Sequence, residues 1–121
     1  MIDGFNKMCV DHHKKMRAKG FWETEDFIDS LDISDEERLS LEDIALTTKL
    51  ALIGTEVSEA VDAVRARHYG VGVKDTFESE LADIIFRLMD LIGGLGIDIE
   101  SSMNFIADNN AKRPNKHGKA F

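Results

Sequence analysis

The chain has 121 residues, 43% of them apolar and 31% charged, and carries a formal net charge of −8 at pH 7. That length and apolar share supply one hydrophobic core over residues 1–121, and the single cysteine, Cys9, excludes an intramolecular disulfide. The acidic balance argues against a protein whose main task is to hold a nucleic acid polymer through its phosphates.

Glycines cluster at Gly70–Gly72 and Gly93–Gly96 and the one proline is Pro114, so punctuation falls at the ends of long segments. The layout predicts an all-α fold of four helices. Ile2, Phe5, Cys9, His12 and Met16 recur at helical spacing and predict a first helix over about 2–19, stopped by Gly20. On that stripe His12 reads as a partly buried histidine and Cys9 as a small core residue. Residues 23–43 hold ten acids against one base, Arg38. Segment 21–39 therefore reads as an acidic loop with at most one short helical turn. Within it, Trp22 beside Phe21 suits either a nucleobase stack or a hydrophobic lid.

Ser40 and Asp43 stand in capping-box spacing and open a predicted second helix that runs to about Arg67, with Leu46, Leu50, Ile53, Val57, Ala60, Val61 and Val64 as its apolar stripe. After the Gly70–Gly72 turn, Asp75 and Glu78 form the next capping pair. Leu81, Ile84, Ile85, Leu88 and Ile92 make the third stripe, which Gly93 and Gly94 are expected to end. Ala82, Phe86 and Met89 occupy a second face of that helix. A helix buried on two sides needs two partners, so packing against another copy of the chain is expected; a central helix in a monomeric bundle gives the same pattern. Asp98 caps a fourth helix over about 99–109, and residues 110–121 read as polar, basic and irregular. The longest apolar runs fall short of the roughly 20 residues that cross a bilayer, and no charged-then-apolar leader opens the sequence. A soluble, cytoplasmic protein is the expectation.

Helical spacing puts Glu56 and Glu59 one turn apart on one flank of the second helix, and Glu80 and Asp83 one turn apart at nearly the same offset on the third. If the two helices pack antiparallel through their stripes, both acid pairs border one groove. Four carboxylates brought together repel unless cations or protons neutralise them. Oxygen-only ligation without His or Cys suits the hard cations Mg²⁺ or Mn²⁺, which share coordination with substrate phosphates. The competing reading is a pair of ordinary solvated acid faces. Asp62 and Asp90 read as solvated, and His68 as a surface residue.

Lys49-Leu-Ala-Leu-Ile-Gly-Thr-Glu56-Val-Ser-Glu59-Ala60 and Glu80-Leu-Ala-Asp83 resemble the E-x-x-E … E-x-x-D signature of MazG-like proteins in the all-α NTP pyrophosphatase superfamily. The ending Asn110-Ala-Lys-Arg113-Pro114-Asn-Lys116-His117-Gly118-Lys119 resembles the N-x-x-R-P … H-G-K tail of one branch. The chain departs from that branch at Ile106, where members often carry lysine. The resemblance implies a four-helix MazG-like fold assembling as a homodimer or dimer of dimers. It also implies metal ligation by Glu56, Glu59, Glu80 and Asp83, and attack of a metal-activated water at the α-phosphorus of a nucleoside triphosphate. Glu56 or Glu59 would orient or deprotonate that water. In the same reading Arg113, Lys116 and Lys119 grip the polyphosphate, and Asn110 offers an amide to sugar or phosphate. Lys49, on the flank of Glu56, pairs either with a phosphate or in a salt bridge, and Trp22 is the candidate base-stacking residue. Two alternatives stand beside this one: a catalytically silent acidic helical dimer that binds a protein partner, and a pyrophosphohydrolase of a phosphoribosyl-linked nucleotide.

Overall fold

The computed structural model of the chain describes residues 1–114 and holds five helices: α1 (Phe5–Ala18), α2 (Glu23–Ser30), α3 (Asp35–Arg65), α4 (Phe77–Leu95) and α5 (Ile99–Ala111). Among the described residues there is no strand, and no helix is long and apolar enough to cross a membrane. The all-α expectation holds, with one helix more than the sequence pattern announced.

That extra helix lies in the segment expected to be a loop, and α3 starts earlier than Ser40. Ser34 and Glu37 close a reciprocal capping box: the Ser34 hydroxyl accepts from the Glu37 amide at 3.1 Å, and the Glu37 carboxylate accepts from the Ser34 amide at 3.2 Å. Asp35, Glu36 and Glu37 then fill the first turn of α3, where the helix dipole favours negative charge. The acid density that reads as a loop is in part a helix N-terminus. Arg38 donates to the carbonyls of Ile28, which the Leu31 amide also bonds, and of Leu31, and so ties the start of α3 to the end of α2.

Gly20, at φ +89, ends α1 as expected, in a Schellman turn: its amide bonds the Arg17 carbonyl at 3.0 Å and the Phe21 amide bonds that of Met16 at 3.2 Å. Gly93 and Gly94, by contrast, do not end α4. A Cβ on Gly93 would lie 2.2 Å from the Cys9 carbonyl oxygen, and one on Gly94 would lie 2.4 Å from the Trp22 ring. The pair therefore lets α1 and the Trp22 indole press against α4, and Gly96, at φ +66, supplies the left-handed end. Cys9 is fully buried at this crossing.

At the far end of the bundle Asn6 and Asp98 tie α1 to α5. Asn6 accepts from the amides of Ile99 and Glu100 at 3.0 and 3.1 Å and donates to Asp98 at 2.8 Å. Asp98 caps α5 as expected, accepting from the Ser101 hydroxyl at 2.6 Å and the Ser101 amide at 3.2 Å, and the Ser101 hydroxyl first, then Asn6 and the Ser101 amide, hold its carboxyl below the usual range.

The largest departure is the rotation of α3. Its buried residues are Glu56, Ala60 and Ala63, which form the line facing α4. Of the expected stripe Ala60 is buried and Leu46 and Ile53 are half-buried, whereas Leu50, Val57, Val61 and Val64 are 43–49% exposed. On α4, Glu80 and Leu91 are buried beside α3, Met89 is buried, and Gly93 abuts α1, while Leu81, Ile85, Leu88 and Leu95 remain 39–52% exposed. The helix is thus central, with α1 and α3 on two sides and a third apolar side open.

Candidate functional site

The hairpin between α3 and α4 sets the register of the acid motifs. Thr76, fully buried, caps α4 by accepting from the Ser79 amide at 3.3 Å, and its hydroxyl faces the carbonyls of Gly70 at 2.8 Å and Val73 at 3.0 Å. Glu78 accepts from the Gly70 amide at 2.8 Å. Caps at Thr76 and Ser79 replace the expected pairing of Asp75 with Glu78, because Asp75 adopts a left-handed φ of 64° and Glu78 is spent on the turn. The turn is short and closed by hydrogen bonds, so the second half of α3 and the first half of α4 run antiparallel with their acids facing.

One carboxylate oxygen from each of Glu56, Glu59 and Glu80 lies within 4.8 Å of the other two. Glu56 and Glu80 are buried and Glu59 is exposed at the mouth. The Oε2 atom of Glu80 is buried without a hydrogen-bond partner among the described residues. Burial, followed by hydrogen bonding to and the negative charge of Glu59 and then of Glu56, raises the Glu80 carboxyl from its ordinary 4.5 to about 7. Asp83, the fourth expected ligand, stays exposed one turn along α4 and borders, with Glu56, a cleft of about 290 Å³. The fold thus gathers three of the four acids and leaves Asp83 on the rim of a cleft that only Glu56 of the three shares.

Two oxygens on opposite sides of an octahedral divalent cation with ligands at about 2.1 Å lie roughly 4.2 Å apart. The three carboxylate oxygens come within 4.8 Å of one another, close to that span, they offer only hard oxygen donors, and the buried Glu80 Oε2 has no hydrogen-bond partner among the described residues. Glu56, Glu59 and Glu80 therefore fit a hard divalent ion of the Mg²⁺ or Mn²⁺ type.

Arg87 carries no signal in the acid motifs, yet its Nε donates to Glu56 at 2.9 Å, and its side chain is 45% exposed. It lies seven residues after Glu80, two turns along the same face of α4, and that spacing was the available clue. Asp90, expected on a solvated face, is instead an internal acceptor. Its Oδ1 receives the Trp22 indole at 2.9 Å and faces His13 Nδ1 at 3.0 Å. His12 is half-buried, as expected, and its neighbour His13 is the buried histidine of α1, meeting the Trp22 ring edge-on at 4.6 Å.

The remaining sequence candidates sit elsewhere. Trp22 is 4% exposed, with the Lys49 ammonium 4.2 Å and the Arg17 guanidinium 5.4 Å from its ring centroid, so its faces are taken by protein groups. Lys49 pairs with Glu25 at 3.3 Å and donates to the Phe21 carbonyl at 3.0 Å, which favours the salt-bridge reading over the phosphate one. Asn110 and Arg113 stand at the end of α5, a helix that packs on α1. Among the described clefts neither lines the opening beside Glu56. Lys116 and Lys119 lie outside the described residues. His68 is exposed, with its ring on the Asp75 carbonyl at 2.9 Å.

No family model, no curated protein and no solved structure matches the chain. What the site can do is therefore argued from its own residues.

The raised Glu80 carboxyl fixes the pH response of the metal-free fold. Between pH 4.5 and about 7 the folded chain holds a proton on Glu80 that the unfolded chain has released. Glu80 by itself therefore contributes stability that is fully present below 4.5 and is lost as pH rises to about 7. Thermal unfolding in EDTA should show this decline, and Glu80→Gln, which keeps a neutral group there, should flatten it. An unchanged slope in Glu80→Gln would mean that the burden lies on another group.

Proposed function

We propose that the chain is a metal-dependent nucleotide pyrophosphohydrolase, cleaving a (deoxy)nucleoside triphosphate between the α- and β-phosphorus to give monophosphate and diphosphate. The observation that carries this reading is the convergence of Glu56, Glu59 and Glu80 within 4.8 Å, with an unpartnered buried oxygen on Glu80. The order and spacing of the two acid motifs, which resemble the MazG-like signature, turn a cation site into a pyrophosphatase proposal.

Bound at the three carboxylates, Mg²⁺ would neutralise phosphate charge and lower the pKa of an attacking water. The chain's own residues supply the rest. Glu56 and Glu80, both buried, hold their carboxylates in fixed positions between α3 and α4, so little reorganisation is needed when a ligand arrives. Glu59, exposed at the mouth, is the carboxylate placed to orient or deprotonate water. Asp83, on the rim beside Glu56, is the fourth acid available to the ion. Phosphoryl transfer asks mainly for position and charge, which this cluster can provide.

The oligomer proposed with this activity is a homodimer through α3 and α4. Leu50, Gly54, Val57, Val61 and Val64 alternate in steps of four and three, as do Leu81, Ile85, Leu88, Ile92 and Leu95. Each line is offset by one residue from the line facing the partner helix. In an antiparallel pair that offset turns both toward the same side of the hairpin. Glu59 and Asp83 are offset the other way, so the apolar seams and the acid mouth occupy opposite sides. Two such hairpins, related by a two-fold axis, complete a four-helix bundle.

Purified protein incubated with Mg²⁺ and a panel of ribo- and deoxynucleoside triphosphates should yield monophosphate and diphosphate on ion-exchange chromatography. Glu59→Gln and Glu80→Gln should each lose at least about 100-fold in turnover at unchanged helical content. Products of diphosphate and phosphate, or wild-type rates in both variants, would reject the reading; no turnover of any triphosphate would move it to a phosphoribosyl-linked nucleotide.

For the dimer, light scattering should give twice the chain mass, and the double variant Val61→Glu/Ile85→Glu should fall to the monomer mass with its helicity retained. A wild-type monomer, or a variant that stays dimeric, would remove the seams from the account.

A further inference from the structure

The clefts beside the acid cluster hold an aromatic surface that none of the motifs marks. Phe21 is 61% exposed, while the neighbouring Trp22 is buried. Its backbone is fixed from two directions: the amide is held by the Schellman turn on Met16 at 3.2 Å, and the carbonyl accepts from Lys49 at 3.0 Å. A large apolar side chain is thus held out on a rigid corner, where its exposure costs hydrophobic free energy unless something lies on it.

Phe21 lines the cleft of about 290 Å³ together with His12, Phe86, Glu56, Asp83 and Arg87. His12 and Phe86 pack with ring centroids 4.8 Å apart, so the opening has aromatic rings on one part of its wall and carboxylates and a guanidinium on the other. A second opening of about 130 Å³ shares Phe21 and Arg87. Arg87 uses Nε for Glu56, and its two terminal nitrogens have no partner among the described residues. Those nitrogens are the planar fork that grips phosphate oxygens.

We propose that Phe21 is the stacking platform for the ligand's flat ring and that Arg87 is the residue that grips its phosphates, so that one nucleotide spans from Phe21 to the acid cluster. This rests on the nucleotide reading above and adds to it the part of the site that recognises ring and polyphosphate. Both side chains are exposed, Phe21 on a turn held to α1 and Arg87 on α4, so Phe21→Ala leaves the fold intact, while Arg87→Lys keeps beside Glu56 the charge that Arg87→Ala removes. The arrangement accepts purine and pyrimidine alike, because stacking is available to every base.

Calorimetric titration of the whole chain in Mg²⁺ with α,β-imido nucleoside triphosphates, and separately with inorganic triphosphate, tests both roles without turnover. Phe21→Ala should weaken the imido nucleotides by about tenfold and leave inorganic triphosphate unchanged. Phe21→Trp should restore or tighten nucleotide binding. Arg87→Ala should weaken both probes by about tenfold, with Arg87→Lys recovering only part. If wild type binds the nucleotides and Phe21→Ala binds them equally well, or loses both probes alike, the platform is refuted while the nucleotide reading stands. Unchanged affinity for both probes in Arg87→Ala refutes the phosphate grip in the same way. If wild type binds neither probe, the nucleotide reading and this assignment fall together.

Discussion

Repulsion among three carboxylates is the constraint on which the rest of the structure depends. Unit charges about 4 Å apart repel strongly wherever water is excluded, and Glu56 and Glu80 are both buried. The chain's own groups meet this in two ways. Arg87 places a guanidinium against Glu56 at 2.9 Å, and Glu80 holds its proton up to about pH 7. Such an arrangement is a poor way to stabilise a small bundle. The cation proposed for the cluster would take over both tasks, and the acids would then be kept close at the expense of stability.

Much of this organisation is legible in the sequence, and the exceptions have identifiable causes. Gly20, Asp98 and the paired acids carry local signals, a left-handed stop, a cap and helical spacing, that do not depend on the rest of the fold. Ser34 and Glu37 carried the same kind of signal, but they lay in an acid-rich stretch where charge density masked the capping box. Gly93 and Gly94 read as stops because glycine destabilises helices. Only the approach of Cys9 and Trp22 reveals them as contact points. The rotation of α3 was hidden for a different reason. Its apolar stripe is real, but periodicity does not tell which neighbour covers it, and the face turned to α4 within one chain is the one bearing Glu56, Ala60 and Ala63, with only Ala60 from that stripe.

The site was partly legible in the same sense. The i, i+3 pairs located the acids, and the closed Thr76 turn brings three of them together. Arg87 and Asp90 were not legible, since a lone arginine or aspartate on a helix is usually solvated and only the packing of α1 and α3 on α4 gives each its partner. Trp22 drew attention by its type, yet its bonds to Asp90 and its cover of cations make it part of the frame. Exposure, which sequence does not report, separates it from Phe21. The three sides of α4 sort these roles: one for α1, one for the acids and α3, and one for the apolar seam.

The central claim is that the carboxylate cluster is a cation site and not an acidic surface. Titration of the metal-free chain with Mn²⁺, followed by the loss of the free-ion electron paramagnetic resonance signal, tests it directly. The account predicts saturable binding that Mg²⁺ competes away and that Glu56→Gln/Glu80→Gln abolishes, with circular dichroism unchanged. Weak, non-saturating uptake that is the same in wild type and variant would contradict it.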